Sequence, residues 1–355
     1  LSNWSHNSQF SSVSYNQMDP GSVIWEMPVF EPLGNGKHIL IVNPIGGNQG
    51  KYGPNYTRGM YWVGTWANGI FTPDYIQPKN LDLIHGHLSP TVARNSNNSL
   101  VGIGIVDERW SSQAQLDAGW CHTYSLPRVY SLLSDQATLG QSPAPELQSL
   151  RISGSLQSNN NVMINGEYPI AASGQATEII ATVDPNNSAD KYGINFYVSD
   201  NREEITRLYY DAVNQQVVID KSNSSLSSQN EEKVLLSGDY DEAAFGKPEK
   251  FHIFLDHSVI DVFINDVAAF SNRVYPVLPG STGIELYAQG GTVNFTSVET
   301  WALGLNGQAV SVTGISLNAP ANILLGQTEA LEASISPANA SNKSVVWSSN
   351  DEQIA

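Results

Sequence analysis

Hydrophobic and polar positions alternate over short spans along the whole chain, and no stretch sustains the 3.6-residue period of a long helix. Strand-length runs rich in β-branched and aromatic residues recur at residues 24–33, 38–42, 60–66 and 100–106, with Gly, Pro and Asn turns between them. Four-stranded units of roughly 40–50 residues have the spacing of propeller blades. At that size residues 1–147 hold about three. The Pro-rich stretch 141–147 reads as a bridge to a second all-β region over 148–303. Its firmest element is 251–266, a hairpin with Asp256-His257-Ser258 in its turn and Asn265-Asp266 opening the next one. After a short linker the pattern resumes over 310–355. The expected fold class is all-β.

Composition narrows the function. Charged residues make up 14% of the 355, and the formal charge of −17 argues against nucleic acid or an anionic membrane surface as a partner. A neutral substrate such as a sugar fits. Cys121 is the single cysteine, which rules out an intrachain disulfide. Flanked by Trp120 and His122, it is expected to be a small buried hydrophobe rather than a nucleophile. No apolar run reaches the roughly 18 residues of a membrane-spanning helix. The chain opens on Leu1 and reads as starting within a domain, so the lack of a signal peptide says nothing about secretion.

Candidate chemistry centres on Glu26, one carboxylate in an apolar run behind Trp25 and ahead of Pro28. Partial desolvation there would raise its pKa towards the range of a general acid. His85 and His87 would share a face of a strand. Two ligands without a third are weak grounds for a metal site, and hydrogen-bonding roles are the alternative. Asp107 and Glu108 are adjacent on a strand and would face opposite sides, so they cannot flank one bond. Trp25, Trp62, Trp66 and Trp110 are candidate platforms for a sugar ring, although most propeller tryptophans fill gaps between blades.

Taken in order, Trp25-Glu26-Met27-Pro28, Phe71-Thr72-Pro73-Asp74 and Ser125-Leu126-Pro127-Arg128 resemble motifs of glycoside hydrolase family 32, the β-fructosidases. The block from Asp256 to Asp266 resembles the signature of that family's C-terminal β-sandwich, with Asp261 where Glu is usual. The resemblance implies a partial five-bladed β-propeller over 1–147 and a β-sandwich over 148–303. It implies retaining hydrolysis of terminal β-fructofuranosyl linkages in sucrose, inulin or levan, with no metal or other cofactor. Glu26 takes the acid/base role, and Met27 replaces the usual Cys. The family's nucleophile motif W-x-N-D-P-N-G and its R-D-P motif are both missing, which places the nucleophile outside the chain and predicts that the chain alone is catalytically silent. Asp19, in a superficially similar Asp-Pro-Gly, reads as a turn residue. Asp82 matches the aspartate of an L-D-Y-G motif, but Leu83 replaces the tyrosine, so Asp82, His85 and His87 are candidate contacts for sugar hydroxyls, with Trp25, Trp66 and Trp110. A structural role for the histidine pair stays open. Asp256 and Asp261 are expected to be structural.

Residues 310–355 resemble the opening of a bacterial Ig-like group 2 domain, which implies a secreted or cell-surface setting and a chain cut short at both ends. The competing readings are a non-catalytic carbohydrate-binding propeller and a related propeller hydrolase acting on arabinosides.

Overall fold

A computed structural model describes residues 9–14, 17–18, 20, 24–45, 59–304, 312–318, 326–328, 330–337 and 345–349. Residues 1–304 form one compact unit and 305–355 a second. Asp19 lies outside the described residues.

The first sheet is an antiparallel meander of β1 (Ile24–Gly34), β2 (Lys37–Ile45), β3 (Met60–Ala67) and β4 (Ile70–Pro73), with the short β5 (Lys79–Asn80) also on β3. Its tight turns follow from sequence. Asn35-Gly36 joins β1 to β2 and Asn68-Gly69 joins β3 to β4, all four at positive φ, the type I′ geometry whose twist matches the strands. The second sheet contains β6 (Leu88–Arg94), β7 (Leu100–Val106), β8 (Thr123–Tyr124), β9 (Arg128–Leu132) and β10 (Leu139–Pro143), in the order β10-β9-β7-β6 with β8 on β7. The helix α1 (Ser112–Ala118) lies between β7 and β8. Among the described residues there are thus two blade-like sheets, where length alone had predicted about three. The 74–87 and 107–122 connections, which apart from the short β5 hold no strand, hydrogen-bond to the sandwich through Leu83, Arg109 and Ser111.

Between the two sheets, Ile39, Ile41, Tyr61, Val63, Leu81, Leu100, Tyr130 and Leu139 form one apolar seam. Leu40, Val42, Trp62 and Phe71 fill the opposite face of the first sheet. This explains why β2 reads as an unbroken apolar run: both of its faces are covered.

The remaining strands of the first unit build one ten-stranded sheet: β11 (Gln157–Ser173), β12 (Ala176–Val183), β13 (Lys191–Val198), β14 (Ile205–Asp211), β15 (Gln216–Asn223), β16 (Leu235–Asp239), β17 (Lys250–Asp256), β18 (Val259–Ile264), β19 (Ala268–Arg273) and β20 (Gly283–Ala302). The long β20 belongs to both halves, pairing with β13 near its start and with β12 near its end. It turns the corner at Gly290-Gly291. Cβ atoms there would meet Asp190 Oδ2 and the Ser188 carbonyl, each at 2.1 Å, so only glycine permits the approach. The β17–β18 hairpin turns at His257-Ser258, as the sequence predicts. In the second unit, β21 (Gly314–Asn318) pairs with β22 (Glu332–Ser336).

Candidate active site

Glu26 stands on β1 opposite Asn43. Immediately after it the register slips at Met27-Pro28, with Met27 at φ 47°. Proline cannot donate to the ladder, and the resulting bulge re-aims the neighbouring side chain, a device common beside functional sites. Behind it, Trp25 stacks on the fully buried Trp62 with ring centroids 5.2 Å apart. The Trp62 indole N–H donates to the Ile76 carbonyl at 2.8 Å, which fixes this platform. Asn43 is buried and accepts from the Ser89 N–H at 2.8 Å, tying the start of β6 to the same end of the sheet.

Glu26 itself is exposed, not desolvated as its apolar neighbours predict. The reason is topological. Among the described residues β1 is the edge strand of its sheet and pairs with β2 alone, so an apolar sequence context does not become an apolar environment.

The other predicted contacts lie elsewhere. Trp66 sits at the far end of β3, against Phe30 and Phe10. By strand register that is roughly 20 Å from the Glu26 end, too far to share one sugar ring. Trp110 packs on Tyr275 of the sandwich at 4.9 Å. Asp82, His85 and His87 are buried, at 3%, 2% and 1% exposure, with their polar atoms engaged inside the protein, although Asp82 borders an open recess. None of the three lies in a strand, and Gly86 between the histidines has φ 125°, so the two rings do not share a face. His87 bonds Ser125 Oγ at 2.8 Å and Tyr130 OH at 2.7 Å, and burial holds its pKa well below the ordinary value. His85 turns to the sandwich. Its Nδ1 accepts from Arg109, which can only donate, so Nε2 carries the proton and faces Glu232 at 3.2 Å.

Asp82 belongs to a clamp that sequence reasoning missed. Arg128, fully buried, donates through Nη1 to Asp82 at 2.5 Å and Gln141 at 3.0 Å, and through Nη2 to Ser271 at 2.7 Å, with Asp261 at 3.5 Å. The Leu126 N–H donates to Asp261 at 3.0 Å, and the Pro127 carbonyl accepts from Ala144 at 3.0 Å. Every residue of Ser125-Leu126-Pro127-Arg128 therefore fastens the second blade, either to a neighbouring segment or to the sandwich. Burial pushes both aspartates up, against the pull of Arg128. The seam is close enough that a Cβ on Gly86 would meet the Ser271 carbonyl at 2.2 Å, and one on Gly238 the Leu83 carbonyl at 1.8 Å. Asp261 is structural in this sense, whereas Asp256 is exposed beside His257. Asp107 pairs with Arg109, while Glu108 pairs with Arg273 and accepts from Tyr275. Cys121 is exposed, contrary to expectation, because it follows the helix-ending Gly119 in a surface loop.

A second cluster crosses the same seam. Lys221 donates to Glu232 and to Asn272, and Glu232 also faces His85 and Arg109. Burial would raise the Glu232 pKa, but the His85 hydrogen bond and the Lys221 and Arg109 charges bring it down to about 2. A carboxylate whose folded pKa lies below its unfolded one contributes stability above the unfolded value and loses it as pH falls towards the folded one. Acidification from about pH 4.5 to 2 is therefore expected to remove on the order of 2–3 kcal/mol through Glu232. In denaturant titrations at pH 5.5 and pH 3, Glu232→Gln should lose less stability between the two than wild type. Equal losses would show that Glu232 does not carry this dependence.

Among the described residues, no cluster of three or more His, Cys, Asp or Glu could hold a metal ion, and no helix is long and apolar enough to cross a membrane.

Residues 1–143 match the family model "Glycosyl hydrolases family 32 N-terminal domain", and residues 146–302 match "Glycosyl hydrolases family 32 C terminal". The chain is 26% identical over 289 residues to a sucrose-6-phosphate hydrolase of Zymomonas mobilis, covering 79% of this chain and 53% of that protein. It is 30% identical over 190 residues to a levanase of Bacillus subtilis, covering 50% of this chain and 27% of that one. The exo-inulinase structure from Aspergillus awamori superposes with a TM-score of 0.66 at 22% identity, covering 79% of this chain and 57% of that one. The chain thus spans about half the length of the first of these relatives.

Proposed function

Because the chain belongs to glycosyl hydrolases family 32, we propose that it is the C-terminal half of the propeller and the sandwich of a retaining β-fructosidase that uses Glu26 as its acid/base. The observation that carries this reading is the placement of Glu26, exposed at a bulge on the free edge strand and backed by the Trp25–Trp62 stack. An acid/base must reach the glycosidic oxygen and afterwards a water molecule, so an open, rigidly backed carboxylate suits the task. Glu26 protonates the leaving oxygen as the bond breaks, then takes a proton from the water that releases the fructosyl group. The attacking carboxylate comes from residues outside these 355. Sucrose, inulin and levan are the substrates proposed, in keeping with the names of the relatives. The domain limits proposed are 1–147 and 148–303, with an Ig-like module from 310 and an extracellular or cell-surface setting.

The test is a panel of sucrose, inulin, levan and an arabinan offered to the protein carrying this chain, with the anomer of the first product read by NMR. Fructose released as the β-anomer is expected. Arabinose release, inversion, or sugar binding without cleavage would each overturn the reading.

A further inference from the structure

On the flank away from Glu26, a recess of about 550 Å³ opens between the two blades and the sandwich. It is large enough for a small-molecule ligand. β5 forms one wall and is the third strand position outward from β1, about 14 Å across the sheet, so the recess does not belong to the cleavage site. Its lining mixes apolar groups with charges of both signs: Lys79 and the Arg128-bound Asp82 on the blade side, and Gln216, Asp239 and Asp241 from the sandwich, with the half-buried ring of Phe245 beside them. Tyr61 lies at its base, where a narrow void of about 30 Å³ continues inward.

The partners already engaged show what remains free. Lys79 donates one N–H to Thr138 at 2.6 Å and lies over the Tyr75 ring at 5.1 Å, and its ammonium has further N–H groups to give. Asp239 accepts from Gln216 on Oδ1 at 2.9 Å, and Asp241 accepts from the Ala243 and Ala244 N–H groups on Oδ1. Both aspartates keep Oδ2. Two carboxylates beside one ammonium repel an anion. They suit groups that both donate and accept, which sugar hydroxyls do, while C–H faces pack on the Phe245 ring.

We propose that this recess is a second binding site, for a short neutral oligosaccharide, which holds the substrate chain against the seam between propeller and sandwich. The inference rests on the fructoside reading above for the identity of the sugar.

Calorimetric titration of the 355-residue chain with 1-kestose tests it, beside Gln216→Ala/Asp239→Ala, Ser237→Trp and Glu26→Gln variants. The double variant removes both partners of one hydrogen bond and leaves neither unsatisfied, while Ser237→Trp fills the recess. Each is checked for an unchanged melting temperature. The expected result is binding to wild type, weakened about tenfold or more by either recess change and retained in Glu26→Gln. Sucrose 6-phosphate should bind more weakly than 1-kestose. Absence of binding to wild type, or equal binding in both recess variants, would overturn the proposal. Were the titrations to fail while the longer protein still releases fructose, only this inference falls and the proposed function stands. Binding at the recess in a protein that releases no fructose would support the site and sink the activity.

Discussion

Glu26→Gln is expected to lower turnover of sucrose, inulin or levan by the protein carrying this chain by about 10²–10⁴-fold, the usual contribution of a positioned general acid–base. The amide is isosteric but can neither deliver nor accept the proton. The loss should therefore fall on kcat far more than on KM, and the limb of the pH–rate profile set by the acid should vanish. A fructoside with a good leaving group needs less protonation, so its first step should suffer least. The exposure of Glu26 on the edge strand predicts that the substitution leaves stability unchanged. Near-normal turnover with Glu26→Gln would remove this residue from the mechanism. A fall in activity matched by a fall in melting temperature would assign it a structural role.

Removing the cation of the buried clamp should have the largest effect on stability. Arg128→Met leaves Asp82 and Asp261 facing each other in a sealed seam without their cation, and strips Gln141 and Ser271 of a donor. Breaking such a buried pair costs about 3–5 kcal/mol, most of it the penalty of an uncompensated buried charge. A lowered denaturation midpoint is the readout. Adding Asp82→Asn and Asp261→Asn to Arg128→Met should recover part of the loss, since no charge then remains to be solvated. If Arg128→Met were neutral, or the triple variant no better than the single one, the clamp would not be what joins propeller to sandwich.

These two predictions separate what was legible in the chain from what was not. The strands, the Asn-Gly turns and the 251–266 hairpin follow from local pattern, since a period of two and two positive-φ residues are properties of a few neighbours. Glu26 was singled out by its motif. Its exposure was not legible, because whether an apolar run is covered depends on which strands lie beside it. The burial of Asp82, His85 and His87 was hidden for the same reason. Polar residues inside an apolar stretch can serve a ligand or a distant segment equally well, and only contacts across more than a hundred residues decide, as between Asp82 and Ser271. Where Trp66 and Trp110 sit was set by strand register and by packing on Tyr275, not by residue type.

The amino-acid order by itself determined an all-β chain, the places of its turns, its family and the carboxylate on which cleavage is proposed to depend, because each is encoded within about ten residues. The tertiary structure alone decided that Glu26 is exposed on an edge strand and that Arg128 closes the seam to the sandwich. Solvation and ion pairing depend on neighbours far away in the chain, which no local pattern specifies.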